Sequence, residues 1–118
     1  MRRAVLLVLV CACSGTDERP ARLAYLQEAI FIPSCTTASC HSTLTRSAGL
    51  DLEQPDAAEL RAELVFRSLI YPGFPQASPL VGFLRGGEGV PFRMPPDSPL
   101  PEADIQLVER WITDGAPE

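Results

Sequence analysis

The chain has 118 residues, room for one modest domain with one core, and its 46% hydrophobic and 21% charged content excludes wholesale disorder or a fibrous chain. Ten Arg, no Lys and fifteen acidic residues give a formal charge of −5 and a pI near 4.8, the wrong sign for a protein that grips nucleic acid through its phosphates. Twelve Pro and eight Gly exclude long uninterrupted helices and a regular sheet, so short elements joined by shaped loops are expected.

The N-terminus has the pattern of an export signal. Met1-Arg2-Arg3 is a positive start, and the apolar run over residues 4–10 is far shorter than the ~20 residues a spanning helix needs. Val10-Cys11-Ala12-Cys13 follows, and it resembles the bacterial lipobox: an aliphatic residue, a variable one, a small one, then the cysteine that takes the lipid. Cleavage before Cys13 makes residues 1–12 a signal peptide, 13–21 a lipid-anchored tether and 22–118 the folded domain. Removal leaves 106 residues with eight Arg against fifteen acids, a formal charge of −7. Several acyl chains on Cys13, at ~0.8 kcal/mol per buried methylene, hold a domain at a membrane far better than one. The expected location is the bacterial cell envelope, on the periplasmic side of a membrane.

Within the domain, Leu23, Leu26, Ala29 and Ile30 predict the apolar face of a first helix, which Pro33 is expected to end just before Cys35. A second helix is predicted over 55–65, with Asp56 and Glu59 near its start and Leu60, Leu64 and Val65 as its apolar positions. Tyr71-Pro72-Gly73-Phe74-Pro75 opens a turn-rich stretch, followed by a short helix over 80–84. The flexible Gly86-Gly87-Glu88-Gly89 then leads to Phe92-Arg93-Met94-Pro95-Pro96, where the prolines pin the backbone beside the methionine. The final helix is the clearest: Pro101 suits its first position, Glu102 and Asp104 its first turn, and Gly115 the position after its end. Ile105, Val108, Trp111 and Ile112 form its apolar stripe.

With Cys11 removed and Cys13 lipidated, the folded domain keeps Cys35 and Cys40, and the only histidine, His41, follows the second directly. Zinc would need a fourth ligand from a second cluster that the sequence lacks. Two readings stay open. In an oxidising compartment the two thiols can close a disulfide, making the domain a haem-free binding or scaffold module. Alternatively Cys35-Thr36-Thr37-Ala38-Ser39-Cys40-His41 is a lengthened form of the C-x-x-C-H haem attachment signature, in which both thiols hold the porphyrin and the imidazole takes the iron. An enzyme has little support: one histidine assembles no Ser/His/Asp set, and neither a P-loop nor H-E-x-x-H occurs.

The first helix running into C…C-H, the Pro-Gly-x-Pro-x-x-Ser-x-Leu stretch, Met-Pro-Pro, and a last helix ending Trp-Ile-x-x-Gly-Ala together resemble the c-type cytochrome domain, over residues 23–116. The C-x4-C spacing is two residues longer than usual, a variation known among multihaem cytochromes. The resemblance implies an all-α, cytochrome c-like fold of short helices wrapped around one haem c, with crossing first and last helices and Trp111 near their contact. It further implies that Cys35 and Cys40 attach the haem covalently, and that His41 and Met94 are the axial ligands of its iron. Both axial positions are then filled, which leaves electron transfer and not an enzyme. Phe31, Leu50, Leu80 and Trp111 are the expected apolar shell. A lysine ring for docking is impossible here; basic contacts would come from Arg46, Arg85 or Arg93, and redox partners with basic docking surfaces suit the acidic chain.

Overall fold

The computed structural model describes residues 15–37 and 39–118. The signal segment, the cleavage and lipidation expected at Cys13, and Ala38 lie outside the described residues. The described residues form four helices and no strand, an all-α arrangement.

Helix α1 covers residues 23–35. It is α-helical over Leu23–Leu26, makes a π turn over Gln27–Phe31, and is α-helical again over Ile32–Cys35. The π turn corrects two expectations. Its wider spacing, seen in the Ile32 N–H donating to the Gln27 carbonyl, rotates the register, so Phe31 and Gln27 join Leu23, Leu26 and Ile30 in the interior while Ala29 faces solvent. Pro33 also fails to stop the helix. Proline breaks a helix by lacking an N–H and crowding the carbonyl four residues back, and the π turn has already moved the hydrogen bonding off that spacing. The helix therefore reaches Cys35. The buried Gln27 side chain donates to the carbonyls of Leu52 and Gln54, at 3.1 and 2.5 Å, and so ties the following loop to α1.

Helix α2, Ala57–Phe66, begins where Asp56 accepts hydrogen bonds from the N–H groups of Ala58 and Glu59, a side-chain cap of the kind that contributes ~1 kcal/mol. Leu60 and Leu64 are buried as expected. Val65 is half-exposed, because one side of this helix faces solvent and only the i, i+4 pair reaches the core. The turn-rich stretch is closed by the buried Ser78, whose Oγ accepts from Tyr71 N–H and donates to the Phe74 carbonyl, both at 2.9 Å.

Helix α3, Pro79–Arg85, ends on Gly86 in the left-handed region at φ +63°, a conformation glycine adopts without a Cβ penalty. Helix α4, Glu102–Thr113, has Pro101 as its N-cap rather than its first residue. At its other end Gly115, at φ +91°, allows two closing bonds, Gly115 N–H to the Ile112 carbonyl and Ala116 N–H to the Trp111 carbonyl. The predicted stripe of Ile105, Val108, Trp111 and Ile112 is buried, with Leu107 beside it.

The core joins Leu23, Leu26 and Ile30 of α1 with Leu60 and Leu64 of α2 and the α4 stripe. Its polar seam is the chain just beyond α4. There the Pro117 carbonyl accepts both Leu23 N–H at 2.9 Å and the Trp111 indole N–H at 2.8 Å, while Arg61 donates to the Ala116 carbonyl at 2.6 Å. The stretch read as a tether is also fastened over its last part: Arg19 bonds Asp104 and the Ala103 carbonyl, and Arg110 donates to the carbonyls of Asp17 and Arg19. Residues 17–19 are therefore a strap on α4.

Candidate cofactor site

Cys35 closes α1, and the chain turns back on itself at once. His41 N–H donates to the Cys35 carbonyl and Cys40 N–H to the Thr37 carbonyl, each at 2.8 Å. Two further bonds hold the far side of the turn: Ser47 N–H to the Cys40 carbonyl, and Leu52 N–H to the His41 carbonyl. The lengthened loop between the cysteines is thus a turn stapled at both ends.

His41 Nδ1 lies 3.0 Å from the Ser47 carbonyl. A carbonyl only accepts, so Nδ1 carries the proton and Nε2 of the neutral ring keeps its lone pair. Ligating histidines are commonly held in this way, through a backbone carbonyl that fixes the tautomer and the ring plane. The carbonyl is itself supported. The turn over Ser47–Gly49 has left-handed residues at Ala48 and Gly49, and Arg67 donates to both their carbonyls, at 3.2 and 2.7 Å, while its Nε pairs with Glu63 at 2.8 Å.

His41 faces a cavity of about 410 Å³, within the ~300–1,000 Å³ typical of small-molecule sites. Cys35 and Met94 line the same cavity, although 53 residues separate His41 from Met94 in the chain. Three of the four residues expected to form the site are therefore brought together. Cys40 is half-buried beside the cavity but does not line it; its Sγ lies 3.7 Å from Thr37 Oγ1. Neither thiol is joined to the other. Burial, with the neighbouring Cys40 as a smaller cause, pushes the Cys35 thiol up to about 11, so it stays protonated at neutral pH and is unlike the depressed thiolates of cysteine enzymes.

Phe31, Leu50 and Leu80 line the cavity as expected, whereas Trp111 does not. The indole is fully buried in the core with its N–H committed to Pro117, and the ring belongs to the packing of α4. Leu64, Leu69, Leu84, Phe83 and Phe92 complete the apolar wall. These were missed because the chain shows no local pattern that separates a cavity-facing apolar residue from a core one; the neighbourhood of Phe92 and Met94 in sequence was the one available signal. Among the described residues Arg67 is the single charged one lining the cavity.

Met94 is held from α3. Its N–H donates to the Phe83 carbonyl at 2.8 Å, and the Phe92 ring stacks on Phe83 with centroids 5.6 Å apart. Beside it Arg93 Nε is buried with no hydrogen-bond partner. Of the arginines considered for docking, Arg85 is engaged by both Glu102 and Glu109, at 3.0 and 2.8 Å, so it adds no net positive patch; Arg46 reaches Asp51 at 3.5 Å.

A haem fits these residues in kind. The cavity offers an apolar enclosure, a thiol among its lining residues and a second close by, one imidazole nitrogen with a free lone pair, and one thioether. Among the described residues no three His, Cys, Asp or Glu side chains gather as a metal-holding cluster. Comparisons with protein-family models, curated proteins and solved structures find no match. Fold and site define an all-α domain around an apolar cavity with cysteine, histidine and methionine on its wall.

Proposed function

We propose that this chain is an exported, lipid-anchored c-type cytochrome that transfers electrons through one covalently held haem c. The observation that supports it most is that Cys35, His41 and Met94 all line one cavity, with His41 Nδ1 pinned to the Ser47 carbonyl so that Nε2 is left to bind iron. The bound haem would supply the one-electron chemistry. Cys35 and Cys40 hold the porphyrin edge through thioether bonds, each formed by addition of a thiol across a vinyl group. His41 and Met94 would be the protein's two donors to its iron, which would leave no place for oxygen or substrate, so that on this reading the protein is not an enzyme. The thioether of Met94, a soft donor, and the apolar wall of Phe31, Leu50 and Leu80 both favour the ferrous state and raise the potential.

The cytochrome c-like fold, with α1 and α4 crossing, belongs to the same proposal; the Leu23 and Trp111 bonds to Pro117, which join the start of α1 to the end of α4, support it. Lipid on Cys13 places the domain at a bacterial membrane on its periplasmic side, and the mass of the native N-terminal peptide tests this: an unmodified Cys13 or cleavage elsewhere removes the anchor. The partners are redox proteins with basic docking surfaces, given eight Arg against fifteen acids after residue 12 and the neutralisation of Arg85 by two glutamates.

The deciding experiment is expression in a periplasm with haem-attachment machinery, followed by a visible spectrum before and after acid–acetone extraction. Red colour that stays with the polypeptide is the expected result. Colourless protein with a Cys35–Cys40 disulfide would establish the haem-free scaffold instead.

A further inference from the structure

We propose that Gly82 and Gly86 are positioning residues for Met94: two absent side chains on one edge of α3 let the segment 87–94 lie against that helix, and so set how far the methionine sulfur reaches into the cavity. The inference rests on the haem reading and adds to it the residues that select sulfur as the second axial donor.

Four contacts tie the segment to α3. Phe83 provides two of them, accepting the Met94 N–H on its carbonyl at 2.8 Å and stacking its ring on Phe92. The other two depend on glycine. A Cβ on Gly82 would stand 3.2 Å from Val90 Cγ1, and a Cβ on Gly86 would stand 2.8 Å from Arg93 Cβ and 2.9 Å from its Cγ. Gly82 lies inside α3 and Gly86 caps it one turn later, its N–H donating to the Gly82 carbonyl at 2.9 Å.

The two glycines differ in a way that isolates the effect. Gly86 sits at φ +63°, where glycine is favoured for conformation alone. Gly82 lies inside a helix, with no such backbone demand, and local preference there favours alanine over glycine. The crowding of Val90 is what the structure offers to explain glycine at 82. Moving Val90 outward draws on the short chain between it and Met94, because Arg93 and Phe92 are packed on the same edge. The sulfur then withdraws from the cavity.

The test uses the full chain made with haem-attachment machinery, as wild type, Gly82→Ala, Val90→Ala and the double variant. Gly82→Ala is expected to keep the covalent haem spectrum of denatured protein while losing the weak sulfur-to-iron charge-transfer band of the oxidised form, with a lowered midpoint potential. Val90→Ala on its own keeps the band, and added to Gly82→Ala it restores the band by making room for the new methyl group. Gly86→Asn is expected to lose the band as well, since asparagine tolerates the left-handed backbone but its Cβ still meets Arg93. An intact band in Gly82→Ala, or one that the double variant does not recover, overturns the inference.

Failure of the haem reading is separately visible as a wild type without haem. The glycine edge is then scored by peroxide oxidation of Met94, read as sulfoxide by peptide mass: faster in Gly82→Ala and back to the wild-type rate in the double variant. Equal rates in all forms overturn it.

Discussion

Protein in which both Cys35 and Cys40 are changed to Ala is expected to emerge from the periplasm with no haem that survives acid–acetone extraction, and each single variant with haem held by one thioether and a shifted pyridine haemochrome band. The two single variants should differ. Cys35 lines the cavity at the end of α1, whereas Cys40 lies beside it in the turn, so loss of Cys35 removes the sulfur already seated at the ligand's edge. Its high thiol pKa, about 11 through burial, keeps it as a thiol until attachment. The yields of covalent haem per polypeptide, measured from the haemochrome spectrum against protein mass, check this; equal and complete attachment in the double variant would rule out both cysteines as the covalent link.

On the proposed ligation Met94→Ala removes the sulfur donor from the iron, and the midpoint potential is expected to fall by on the order of a hundred millivolts or more, part of the ~0.8 V range that axial ligation spans. The direction follows from the thioether's preference for ferrous iron. The vacated face should then take cyanide or carbon monoxide readily, which the wild type with both positions filled resists. Haem attachment should be unchanged, because neither cysteine nor His41 is touched. Potentiometry and a carbon monoxide titration of the two proteins decide it: a potential indifferent to the substitution would assign Met94 to the packing of the cavity wall, and the second axial position to another group.

Much of this domain is legible along the chain because its signals are local. Asp56 near a helix start, Gly115 after a helix end, and the Ile105, Val108, Trp111 and Ile112 stripe all act within one or two turns, and each stands where it was expected. The misreadings have one physical source. Whether Pro33 stops α1 depends on the turn before it, and the π turn over Gln27–Phe31 both carries the helix to Cys35 and trades Ala29 for Phe31 in the interior. Trp111 reads as a cavity residue by size and position, yet the acceptor for its N–H is a carbonyl beyond its own helix, and that bond places it in the core. In the stretch 13–21, expected as a tether, residues 17–19 are fastened to α4 by Asp104 and Arg110, more than eighty residues away.

By itself the sequence determined the helical class, the acidic balance and the set of sulfur and nitrogen donors, since propensity, capping and charge are properties of residues and their near neighbours. Only the tertiary structure decided that Cys35, His41 and Met94 line one cavity, that Cys40 stands just off it, and that the Ser47 carbonyl selects the tautomer of His41. It also set Val90 Cγ1 3.2 Å from where a Cβ on residue 82 would stand. Those facts depend on segments dozens of residues apart packing against each other, and the space a missing Cβ leaves has no meaning until the neighbour that fills it is in place.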